Sequence, residues 1–122
     1  MANRGCDVKR ILVVGGGLIG IRHIQAVVAH PRCELVGLAD PDMTIAGEHT
    51  RFPNMAEAPD NIDGAIIATP THLHADHAIQ ATKRGWHVLI EKPVTGTIRD
   101  AKRLENTLKM TGTTSLVAHH RR

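Results

Sequence analysis

ILVVGGGLIG, residues 11–20, is the stretch that decides the fold. Ile11 to Val14 form a short apolar run, and Gly15, Gly17 and Gly20 follow at once in G-x-G-x-x-G spacing. An amphipathic segment begins directly after them. A buried strand turning tightly into a helix has this pattern. Its chemistry is the binding of a nucleotide pyrophosphate. Gly15 permits the tight turn, Gly17 has no side chain to hold a phosphate away from the backbone, and Gly20 lets the helix pack close to the strand. The helix N-terminus then turns its unpaired N–H groups and positive dipole to the phosphates. Gly15, Gly17, Leu18, Ile19 and Gly20 are therefore candidate cofactor contacts. Glycines at this spacing also occur in ordinary loops. The strand before, the helix after and an acidic residue further on give them weight here.

That helix is expected from about Leu18 to Ala29, with Ile21, Ile24, Val27 and Val28 on one face and Pro31 stopping it. His23 lies one turn in, where packing or capping is the plainer role. Strand one spans about Arg10 to Val14, and Glu34 to Ala39 is a second apolar strand ending at Asp40-Pro41-Asp42. Asp40 falls about twenty residues past the last glycine, where an acid that accepts hydrogen bonds from the adenosine ribose is expected. A carboxylate there repels a 2′-phosphate and no arginine directly follows it, which favours NAD over NADP. The plainer alternative is a solvated turn aspartate ahead of Pro41; the glycines upstream favour the ribose role.

Between these signals and the next, the chain says less. A short helix near Met43 to His49, the remnant of a third strand at Phe52-Pro53 and a helical turn at Met55 to Ala58 are expected, with Asp60-Asn61 as turn chemistry. Gly64 to Ala68 is a fully apolar strand running into Thr69-Pro70-Thr71-His72-Leu73-His74. A helix from about Leu73 to Arg84 follows, with Ala75, Ala78, Ile79 and Thr82 inward and Gly85 ending it. His87 to Ile90 is another strand, leading into Glu91-Lys92-Pro93. Thr97 and Asp100 open the last helix in capping-box fashion, with Ile98, Ala101, Leu104 and Leu108 as its stripe and Gly112 at its end. Ser115 to Ala118 is the final strand.

Alternation of this kind specifies an α/β fold: a doubly wound parallel sheet of the Rossmann type, in three αβα layers. Ligands bind such sheets outside the carboxyl ends of the strands. The unusual residues sit at those ends: the glycines, Asp40, Thr69-Pro70 with the histidines, and Glu91-Lys92-Pro93.

The composition agrees with one ordinary domain. The 122 residues are 42 % apolar and 22 % charged, enough to build a core. The net charge of +3 is scattered apart from Arg121-Arg122, and the chain has no Tyr and only Phe52 and Trp86 as aromatics. No nucleic-acid partner is expected from such a surface. Cys6 and Cys33 form no C-x-x-C and read as reduced thiols. Met1 to Arg10 is too polar for a signal peptide, and no apolar run has the length of a membrane span, so the cytoplasm is the expected compartment. His72, His74 and His77 give no recognised zinc spacing, and no metal is expected.

The chain resembles the N-terminal domain of the Gfo/Idh/MocA family, named for glucose–fructose oxidoreductase and inositol dehydrogenase. The resemblance rests on GGGLIGIRH at 15–23, LADPD at 38–42, IIATPTHLHADHAIQA at 66–81 and GWHVLIEKP at 85–93, in the family's order and over most of the chain. It implies a nicotinamide-dependent oxidoreductase acting on a sugar, cyclitol or related polyol. Thr69 and Pro70 would lie against the cofactor, and His74 matches the histidine of the family's T-P-x-x-x-H pattern. Glu91, Lys92 and Pro93 would lie beside the nicotinamide, with Lys92 touching the substrate as the catalytic residue. Similar proteins continue into a second α/β domain that supplies most of the substrate pocket. Residues 1–122 are accordingly expected to be the dinucleotide-binding Rossmann domain with that C-terminal substrate domain absent, a monomer or weak homodimer with little turnover of its own. A stand-alone NAD-binding sensing module is the alternative. A methyltransferase-like domain for S-adenosylmethionine shares the glycine turn but has no role for Asp40 or Glu91-Lys92-Pro93.

Overall fold

A computed structural model of the chain describes residues 8–45, 47, 49–91 and 96–117, with 116 and 117 described by backbone alone. The strands are β1 (Lys9–Val14), β2 (Cys33–Ala39), β3 (Arg51–Phe52), β4 (Gly64–Ile67), β5 (His87–Ile90) and β6 (Ser115–Val117). The helices are α1 (Leu18–Ala29), α2 (Thr71–Lys83) and α3 (Ile98–Thr111), and Met55–Glu57 is a 3-10 turn. The strands form one six-stranded sheet in the order β3-β2-β1-β4-β5-β6, every neighbouring pair parallel. Ala118, the expected end of the last strand, lies outside the described residues.

Both faces of the sheet are covered, which is why the strand sequences are nearly continuous apolar runs. Val13, Leu38 and Ile66 point to one face and bury against Ile24 and Val27 of α1. Leu12, Val14, Ile67 and Ile90 point to the other and bury against Ala78 and Ile79 of α2 and Leu104 of α3. Strand order reverses between β1 and β4. At such a switch point the helices leave opposite faces and a crevice opens beyond the strand ends.

Three local expectations are revised. The stretch from Met43 to His49 forms no helix among its described residues. Arg51 draws its carbonyl groups elsewhere: the guanidinium donates to the carbonyl oxygens of Ile45 (2.9 Å), Gly47 (2.7 Å) and His49 (3.3 Å). The helix after β4 starts at Thr71, two residues early, with Pro70 at the N-cap position and no side-chain capping bond. On α3, Leu104 is buried and Leu108 partly buried, but Ile98 is 77 % exposed and Ala101 is exposed. At 3.6 residues per turn Leu104 and Leu108 lie only about 40° apart, while Ile98 is about 120° from Leu104, off the buried stripe.

The short segment between β3 and β4 is held by Arg84, one residue past α2. Its guanidinium donates to the carbonyls of Met55 and Ala58, both at 2.7 Å, pairs with Asp60 at 2.6 Å, and lies 4.3 Å from the ring centroid of buried Trp86. This clamp replaces the packing that a longer helix would provide.

The turn from β1 into α1 tolerates no side chain at Gly20, where an added Cβ would overlap the Gly15 carbonyl oxygen. Gly20→Ala is expected to cost about 2–3 kcal/mol, the scale of overpacking a filled site. Urea unfolding of the two proteins measures it; an unchanged midpoint would contradict the close helix–strand contact.

Candidate cofactor site

The crevice at the switch point is a cleft of about 750 Å3 at the carboxyl ends of β1, β2 and β4. Its first wall is the glycine turn. Gly15 adopts φ +102°, its N–H donates to the Ala39 carbonyl at 2.9 Å, and an added Cβ would lie 2.7 Å from the Ala68 carbonyl group. Gly17 is different in kind: an added Cβ would meet nothing within 4 Å. Gly17 is also the N-cap of α1 and offers no side chain to it. The first-turn N–H groups of a helix have no intrahelical partner. Here they are left at the cleft, beside Leu18 and Ile19, with room in front of them. That fits a phosphate, which needs donors, a favourable dipole and an unobstructed approach.

Asp40 stands at the end of β2. Its Oδ2 accepts the Gly16 N–H at 2.7 Å and its Oδ1 accepts the Asp42 N–H at 2.8 Å. The carboxylate thus ties the glycine turn to the end of β2 while lining the cleft. Each carboxylate oxygen has two lone pairs, so both retain capacity for a further donor. Pro41, Pro53, Asn54 and Met55 continue this side.

The opposite wall is Ala68, Thr69, Pro70 and one face of α2, formed by Leu73, His77 and Gln80. The Thr69 hydroxyl and His77 Nδ1 are hydrogen-bonded at 3.1 Å. His77 titrates below the usual histidine range because burial disfavours its charged form, an effect that Asp76 opposes and His74 reinforces. His77 is therefore neutral at pH 7.

Three of the described sequence-derived site residues do not line the cleft: Gly20, which packs on the Gly15 carbonyl, His74 and Glu91. His74 is 2 % exposed, with its Nε2 on the Thr69 carbonyl at 2.6 Å. It lies under the wall and fixes Thr69 from behind instead of lining the cleft. Glu91 is 6 % exposed and pairs with His23 of α1, so its carboxylate ties α1 to the end of β5. That also gives His23 an electrostatic partner where packing or capping was expected. Lys92 and Pro93 lie outside the described residues. His72 is exposed, His74 buried and His77 in the cleft, so the three histidines do not converge on one point. Among the described residues no three His, Cys, Asp or Glu side chains gather to hold a metal. No helix among them is long and apolar enough to cross a membrane.

Sequence reasoning missed His77, Gln80, Asn54 and Gly16. The first two carried a readable signal: residues 73, 77 and 80 share one helix face, and Gln80 follows a buried pair, Ala78-Ile79. Asn54 and Gly16 had none, since their places depend on loop closure and on the Asp40 contact.

Comparison with known proteins is consistent along the chain. Residues 9–119 match the family model described as the oxidoreductase family with an NAD-binding Rossmann fold. Glucose-6-phosphate 3-dehydrogenase of Bacillus subtilis is 32 % identical over 105 residues, covering 81 % of this chain and 30 % of that protein. The scyllo-inositol 2-dehydrogenase (NAD(+)) of the same organism is 32 % identical over 123 aligned residues, covering 93 % and 36 %. In structure, the WlbA dehydrogenase of Bordetella pertussis, in complex with NADH and UDP-GlcNAcA, superposes with a TM-score of 0.84 at 31 % identity, over 91 % of this chain and 35 % of that one. The chain spans about a third of the length of the curated relatives it matches.

Two outcomes are expected of this geometry. Asp40→Ala leaves the N–H groups of Gly16 and Asp42 without their charged acceptor and should lower unfolding free energy by about 1–3 kcal/mol in urea; no change would mean that these bonds do not hold the turn. For His77, the folded chain binds the proton less tightly than the unfolded chain, whose histidine titrates near 6.5. Its contribution to stability is fully present above that pH and declines as pH falls toward the folded pKa. An NMR titration should place the His77 midpoint below 6.5; a midpoint above it would contradict the burial.

Proposed function

The chain belongs to the Gfo/Idh/MocA oxidoreductase family, and from that premise we propose that it is the NAD-binding domain of a dehydrogenase acting on a sugar, cyclitol or related polyol. One observation carries the cofactor part of this reading: a carboxylate acceptor, Asp40, and the uncapped N-terminus of α1 face a single cleft. A dinucleotide needs both, a donor-rich cradle for its pyrophosphate and an acceptor for its adenosine ribose.

The residues divide the work as follows. Gly15 and Gly20 set the turn, Gly17 leaves the approach open, and the backbone of Leu18 and Ile19 presents N–H groups to the phosphates. Asp40 accepts from the ribose hydroxyls and disfavours a 2′-phosphate, so NAD is the preferred form. Thr69 and Pro70 close the opposite side, with His74 fixing Thr69. When bound, the nicotinamide ring accepts or gives a hydride, chemistry the protein itself lacks. Lys92 serves this step as a cation beside a substrate oxygen that becomes negative. It would polarise that oxygen or take its proton. Glu91, engaged by His23, steadies the strand end that Lys92 follows.

Calorimetric titration of the chain with NAD and with NADP tests this. NAD should bind more tightly than NADP. Asp40→Ala should lose that preference while weakening both, because the same carboxylate holds the glycine turn. Failure of both nucleotides to bind at millimolar concentration would overturn the cofactor assignment. Incubation with NAD and polyols should give little or no reduced cofactor, since the substrate pocket is assigned to a further domain; robust oxidation by these 122 residues would refute that assignment.

A further inference from the structure

The cleft continues past Asp40, away from the glycine turn, between two walls of unlike character. Pro41, Pro53 and Met55 supply flat or soft apolar surface. His77 and Gln80 project from α2 at i and i+3, one side chain above the other. Neither aromatic residue of the chain lines this region, so a base here is not held by ring stacking. Selection among bases then falls to polar edges. His77 Nδ1 is taken by the Thr69 hydroxyl, and Nε2 has no hydrogen-bond partner among the described residues. A neutral imidazole with one nitrogen engaged presents at the other either a donor or an acceptor, according to tautomer. A glutamine amide carries both side by side. Adenine presents the complementary pair along one edge, an amino donor at position 6 beside a ring-nitrogen acceptor.

We propose that His77, together with Gln80, reads the 6-amino edge of the adenine and makes the cleft selective for adenine among purine dinucleotides. This rests on the dinucleotide reading above, in which Asp40 marks the ribose and so places the base on this side of it. His77 suits the task because Thr69, itself fixed by His74, sets the ring's orientation before any ligand arrives. Burial supports it by keeping the imidazole neutral, and therefore able to accept, at pH 7.

The test compares NAD with nicotinamide hypoxanthine dinucleotide, in which the 6-amino donor is replaced by a carbonyl acceptor and N1 changes from an acceptor to an N–H donor, while N7 and the net charge are unchanged. The whole chain is titrated calorimetrically with each, as wild type, His77→Leu and His77→Gln. Wild type should prefer NAD by about tenfold, the scale of one or two net hydrogen bonds. His77→Leu should lower NAD affinity by about that factor, leave the hypoxanthine dinucleotide within about twofold and so abolish the preference. His77→Gln, which keeps a donor and an acceptor, should retain most of it. If His77→Leu keeps the wild-type preference, or weakens both dinucleotides equally, His77 does not read the base. If wild type binds both equally, the edge is not read at all. If wild type binds neither, the dinucleotide reading itself fails and this inference with it.

Discussion

Three strand ends meet in the backbone of one turn. The Gly15 N–H donates to the Ala39 carbonyl of β2, the Val14 carbonyl accepts the Ala68 N–H that follows β4, and Gly15 packs directly on the Ala68 carbonyl group. A Cβ at Gly15 would fill that contact and sit on a backbone with φ +102°. Everything that makes the cleft follows from this close approach. It aims α1 so that its N-terminus looks across the ends of β2 and β4. It brings Gly16 within reach of Asp40. It leaves Gly17 at the mouth with open space in front of it.

Around this turn the ionisable side chains chiefly secure backbone. Asp40 holds Gly16, His74 holds the Thr69 carbonyl, and Arg84 holds Met55 and Ala58. The His23–Glu91 pair ties α1 to the end of β5. The cleft is therefore braced from behind on three sides, by groups that do not themselves line it apart from Asp40. Such bracing lowers the ordering cost of binding, because the donors and acceptors are already where a ligand needs them. It also means that a substitution behind the wall, at His74 or Arg84, acts on a ligand only through the backbone it holds.

Much of this was legible in the chain because period and punctuation agree. An apolar run broken by Gly15, Gly17 and Gly20, a strand ending at Asp40 and a helix opened by Thr97 each state a local preference that the fold satisfies, and Thr97 does accept the Asp100 N–H. Two expectations drawn from local pattern are decided by their surroundings: a helix over Met43 to His49 by Arg51, two to six residues beyond the carbonyls it gathers, and the place of Ile98 by the direction of the buried stripe. Arg51 gathers carbonyls that a helix would have used internally. Ile98 belongs to the apolar series of α3 but not to the arc centred on Leu104 and Leu108. His74 carries the family's histidine but faces the core, while His77, three residues on and weighed in the sequence only as a metal ligand, faces the cleft. Side-chain direction on a helix changes by about 100° per residue, so a motif names a neighbourhood without naming which member enters it.

We propose that a nicotinamide dinucleotide binds in the cleft bounded by the glycine turn, Asp40 and Thr69. An amide NMR titration of the chain with NAD reports position along the backbone as well as affinity. Saturable shifts are expected in residues 15–20, at Asp40 and Asn54, and from Thr69 through the first turns of α2, with α3 silent. Shifts confined to other surfaces, or none at millimolar NAD, would contradict it.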